Sequence, residues 1–88
     1  MQNEYYMLTG KGRNQGEVLV ALYKANRFLS VEELMVLSKQ DKNTVMQFLA
    51  IFQKDGSVEQ LADEAKWGIV PEVRAMLENM LLMNGWRL

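Results

Sequence analysis

Apolar positions in this chain recur at helical spacing in four stretches and alternate in one short pair, giving the order helix, helix, helix, hairpin, helix. Val18, Leu19, Leu22 and Tyr23 share one stripe. Asn14 stands three residues before Glu17, the spacing at which a capping side chain and a reaching carboxylate satisfy each other's backbone amides. A first helix is therefore predicted over about Gln15 to Ala25, with Phe28 and Leu29 as a short extended link behind it. Ser30 and Glu33 repeat the capping spacing. They predict a second helix over about Val31 to Leu37 that buries Leu34 and Leu37 with help from Val31 and Met35. Ser38, Lys39 and Gln40 form a turn, and Asp41 caps a third helix running to about Lys54, with Val45, Phe48, Leu49 and Phe52 on one face.

Asp55 and Gly56 close that helix, since glycine accepts the left-handed backbone of a helix end. From Ser57 to Leu61 the pattern alternates, with Val58 and Leu61 inward. Ala62 to Lys66 is a loop, and Trp67 to Val70 a returning strand. Pro71 suits the first turn of a last helix ending near Met83, before Asn84 and Gly85. Its stripe is Val73, Met76, Leu77 and Met80, widened by Leu81 and Met83. The expected architecture is mainly α with a small β-hairpin over residues 15–88, preceded by residues 1–14 as an arm or an edge strand.

Composition narrows the chemistry. The 88 residues suffice for one domain with one core, and 49% apolar against 24% charged residues are the proportions of a folded protein. Histidine and cysteine are both absent, which removes the commonest general base, the thiolate nucleophile and the usual zinc ligands. Carboxylates, lysines and hydroxyls are not gathered at any spacing that suggests catalysis, so no enzymatic activity, metal or cofactor is expected. Glu32 and Glu33 complement a helix dipole, and Gly10-Lys11-Gly12 lacks the length and the following hydroxyl of a phosphate-binding loop. With no continuous apolar run for a signal peptide or a membrane span, a soluble cytoplasmic protein is expected. The net charge of −1 gives no global attraction to nucleic acid. A phosphate-facing surface would have to be local, formed by the amino-terminal basic residues and the start of the third helix.

Asn43-Thr44-Val45 opening a helix, the run Lys54-Asp55-Gly56-Ser57-Val58-Glu59 and the segment Trp67-Gly68-Ile69-Val70-Pro71-Glu72 carry a resemblance to a known class. Over about Gln15 to Met83 the chain resembles the winged helix-turn-helix domains of prokaryotic transcriptional regulators. The resemblance implies a three-helix core, a two-stranded wing and a carboxy-terminal helix, with the third helix entering the major groove of double-stranded DNA. By position, Lys42, Asn43, Thr44 and Gln47 would reach the bases, and Lys39, Lys54, Lys11 and Arg13 would add phosphate contacts. Tyr5 and Tyr6 in the arm could stack on bases or pack on the domain, and the stretch Tyr6 to Arg13 is itself similar to the end of a wing strand and the helix after it. The chain departs from the pattern where Ala50 and Ile51 stand at positions that commonly carry a basic residue, where Met46 adds another apolar group outside the core stripe, and where Asp63 and Glu64 face only Lys66 at the wing tip. Those departures suit a second expectation, a protein-interaction module or adaptor that binds no DNA. Leu82, Met83, Trp86 and Leu88 exceed what one small core absorbs, so a homodimer or partner surface through the last helix is expected, with Met76, Met80, Leu82, Met83 and Trp86 as its residues.

Overall fold

The computed structural model describes residues 10–88, which form a mainly α domain of four helices and a small three-stranded antiparallel sheet. In chain order these are α1 (Gly10–Ala25), β1 (Leu29–Ser30), α2 (Val31–Ser38), α3 (Lys42–Lys54), β2 (Val58–Gln60), β3 (Lys66–Ile69), a 3-10 turn (Pro71–Val73) and α4 (Arg74–Met83). The sheet order is β1-β3-β2, so the second hairpin strand is the central one. Leu29 pairs with Trp67 on one side of it, and Val58 pairs with Ile69 on the other.

Helix α1 is the hub. Every residue from Val18 to Leu22 is buried, which requires neighbours around a full turn, and α2, α3, α4 and β3 supply them. The predicted stripe was thus too narrow: Val20 and Ala21 are covered too, while Tyr23 is half-buried. The Arg74 guanidinium lies 4.0 Å from the Tyr23 ring centroid and donates to the Tyr23 carbonyl at 2.7 Å, tying α4 to α1. Burial, and then Glu78, hold the Tyr23 phenol above its ordinary pKa, with Arg74 opposing them.

The predicted start of α1 is corrected. Asn14 lies inside a helix that begins at Gly10, so it caps nothing, and residues 10–14 are neither arm nor edge strand. Residues 1–9, including Tyr5 and Tyr6, lie outside the described residues. The extension is held from the other end of the chain. Trp86 packs on α1 so closely that a Cβ on Gly16 would run into its ring, with Cε2 only 2.9 Å away, and Arg13 lies 5.3 Å above that ring. The indole N–H is buried without an acceptor among the described residues, so this contact rests on ring packing and the guanidinium.

The caps of α2 and α3 form as expected. Ser30 Oγ accepts from the Glu33 amide at 3.1 Å while Glu33 Oε1 accepts from the Ser30 amide at 2.9 Å. Lys39 ends α2 in the left-handed region (φ 58), Asp41 caps α3, and Gly56 (φ 84) ends it. The α3 core face, Val45, Phe48, Leu49 and Phe52, is buried as its spacing predicts.

Several apolar side chains predicted inward are exposed. Leu37 is 52% exposed, because α2 ends one residue later and its buried edge passes through Val31, Leu34 and Ser38. Leu61 lies past the end of β2, where the backbone turns. Met76 and Met83 are 61% and 78% exposed, because α4 meets the core through Leu77 and Leu81, flanked by Val73 and Met80. Removal of Leu34 should cost about 2–5 kcal/mol as Leu34→Ala, whereas Leu37→Ala should cost less than about 1 kcal/mol and Ser30→Ala about 1 kcal/mol. Urea unfolding of the three variants checks this, and equal losses at Leu34 and Leu37 would contradict the outward placement of Leu37.

Candidate nucleic-acid interface

The amino-terminal end of α3 gathers most of the sequence-predicted contact residues. A helix turns about 100° per residue, so the face opposite Val45, Phe48, Leu49 and Phe52 carries Asn43, Gln47, Ala50 and Lys54 in one line. All four are exposed. Lys42 flanks the start of this line and Lys39 lies in the turn before it, both exposed. Thr44 is half-buried, and its amide donates to Asp41 Oδ1 at 2.8 Å.

Charge on this face is carried by Lys54 at its carboxy-terminal end, while Lys42 projects about 100° round the helix from Asn43. Lys42 and Lys54 are separated by twelve residues, about 18 Å of helix, and the outward side chains between them are two amides and a methyl group. None of Lys39, Lys42 and Lys54 forms an ion pair among the described residues. Met46 and Ile51 flank the line as exposed apolar groups.

Arg13 engages Trp86 and the carboxy-terminal segment, and the side chain of Lys11 lies outside the described residues. At the hairpin tip Lys66 pairs with Glu64 at 3.3 Å, so its charge is already matched there. Arg27 pairs likewise with Glu33 at 3.2 Å. Of the predicted partner surface, Met80 and Trp86 are partly buried against the chain's own core. Met76 and Met83 share one line on α4, but Leu82 sits about a third of a turn away, so they do not make one continuous face.

Asp41 is the carboxylate at the start of this line, and Asp55 follows Lys54 at its end. The Thr44 backbone amide, donating at the helix start, holds the Asp41 carboxyl below the usual aspartate value. Glu33 is lowered in the same way by the Ser30 amide, with Arg27 adding to it. Among the described residues no three carboxylates cluster to hold a metal ion, and no helix is long and apolar enough to cross a membrane. Comparisons with models of known protein families, with curated proteins and with solved structures give no match for this chain.

Because both capping carboxyls titrate lower in the folded state, their stabilisation is complete above the unfolded value of about 4 and is lost as pH falls through the lowered folded values. Acid unfolding followed by circular dichroism should show stability falling below about pH 4. Asp41→Asn, which keeps a capping oxygen without the charge, should flatten that fall. An unchanged acid limb in this variant would contradict the role given to Asp41.

Proposed function

We propose that this chain is a winged-helix domain that binds double-stranded DNA through α3. The element order helix, strand, helix, helix, strand, strand, helix and the sheet order β1-β3-β2 support the class. The observation that carries the function is the outward line of α3, two amides and a methyl group, with Lys42 and Lys54 at the two ends of the helix about 18 Å apart and in no ion pair among the described residues.

That spacing suits a major groove about 12 Å wide, where lysines at the two ends of the helix reach phosphates on opposite walls and the amides between them face base edges. Asn43 and Gln47 each have the donor and acceptor needed for a two-bond contact with adenine, and the Ala50 methyl suits a thymine methyl. The hairpin contributes little to phosphate binding, since Lys66 is paired and Asp63 and Glu64 would repel the backbone. Three lysines in no ion pair among the described residues imply modest affinity per copy. A second reading, a protein-interaction module, is favoured by the exposure of Met46 and Ile51 beside the same line.

Binding to mixed genomic duplexes, measured across a salt series, should show log K falling with log salt at a slope near −3 per copy, roughly −0.9 for each lysine. Lys42→Ala should weaken all duplexes alike and make the slope shallower by about 1, whereas Gln47→Ala should lower discrimination at one base pair by about 1–3 kcal/mol. Absence of duplex binding at low salt from folded protein would overturn this reading and favour the protein-binding one.

A further inference from the structure

Helix α4 turns Leu77 and Leu81 into the core, and the direction opposite them is occupied by Asn79. Around Asn79 the exposed positions are Ala75, Met76, Leu82 and Met83. They stand four and three residues before it and three and four residues after it. At about 100° per residue, Met76 and Met83 fall on one side of Asn79, and Ala75 and Leu82 fall on the other. None of these residues is charged, and the Asn79 side chain makes no hydrogen bond among the described residues.

This pattern is its own complement. A twofold axis passing in front of Asn79 lays a second α4 antiparallel to the first and keeps each side of the face opposite the same side of the other copy. Met76 then meets the partner's Met83, two side chains that adapt readily to one another. The small Ala75 leaves room for the partner's Leu82. At the axis the two Asn79 amides face each other, and an amide, carrying both donor and acceptor, pairs with its own copy. A shifted register would set that amide against methionine or leucine, so a lone asparagine in this seam fixes the alignment. The exposed Glu72 stands just before the amino-terminal end of α4 and the exposed Arg87 just beyond its carboxy-terminal end, neither in an ion pair among the described residues. An antiparallel copy brings these opposite charges to the same end of the contact.

We propose that α4 joins two copies of this chain as an isologous antiparallel pair, with Asn79 at the twofold axis and Met76 against the partner's Met83. This inference does not rest on DNA binding. A contact built on a 10-residue helix, about 15 Å long, belongs to the small, weak class of interfaces.

Sedimentation equilibrium of the full chain, at concentrations up to about 1 mM, tests it. The parent should dimerise. Met76→Lys and Met83→Glu each set a charge against methionine twice and should weaken association roughly tenfold or more. An equimolar mixture of the two variants should recover association, because the introduced lysine faces the introduced carboxylate while the remaining Met76 and Met83 still meet. A parallel pair would set each position against itself and gain nothing from mixing. Asn79→Asp should weaken the dimer near neutral pH by placing two carboxylates at the axis. All three positions lie outside the core, so circular dichroism spectra should match the parent. A parent that stays monomeric, single variants that associate as tightly as the parent, or a mixture that fails to recover would overturn the proposal. A dimer lost on Leu37→Ser but kept in Met83→Glu would assign the contact to α2 and overturn it equally.

Discussion

Enclosure of α1 is the constraint from which the rest of the domain follows. A helix with five consecutive buried residues cannot lie on a surface, so α2, α3, α4 and β3 must each give it a face. Leu34, Phe52 and Leu81, all essentially unexposed, are the contributions of the other three helices to that shared core. Full burial of side chains of this kind is worth about 1.5–3 kcal/mol each, enough to outweigh the weak helix propensity of the glycines in α1. Once the inward faces are committed, what each helix turns outward is fixed as well. On α3 that outward face is amide, amide, methyl and ammonium.

Local backbone chemistry then sets where α3 begins. Ser30 and Glu33 start α2, Lys39 reverses the chain in the left-handed region, and Asp41 starts α3 two residues later. The cap brings a tension to the proposed interface. A carboxylate at the start of the helix satisfies orphan amides but stands where a phosphate would be welcome, and its lowered pKa keeps it ionised. Lys39 and Lys42 on either side of Asp41 offset that charge, which is one reason binding through this end should be modest and strongly dependent on salt.

Local signals were legible in the sequence wherever they depended on neighbours a few residues away. The capping box at Ser30, the cap at Asp41, the α3 core face and the Gly56 stop all follow from short-range geometry. Asn14 and Glu17 show the same spacing yet make no helix start, because Trp86, seventy residues later, packs on Gly16 and supports helix on both sides of Asn14. That contact has no local signature. Periodicity also marked Leu37, Met76 and Met83 as apolar members of helical stripes without saying how wide a strip each neighbour covers. For the candidate site, the residues at the start of α3 were visible in advance. The engagement of Arg13 with Trp86 was not, because it depends on the position of the carboxy-terminal segment.

The central claim is that α3 presents its outward line to duplex DNA, and a titration of isotope-labelled protein with duplex, followed through backbone amide resonances, tests it most directly. The account predicts that perturbations concentrate at Lys39, Lys42, Asn43, Gln47 and Ala50, with the hairpin tip at Asp63 and Glu64 little changed. Perturbations confined to α4 or to the α1–α2 face, with α3 silent, would contradict it.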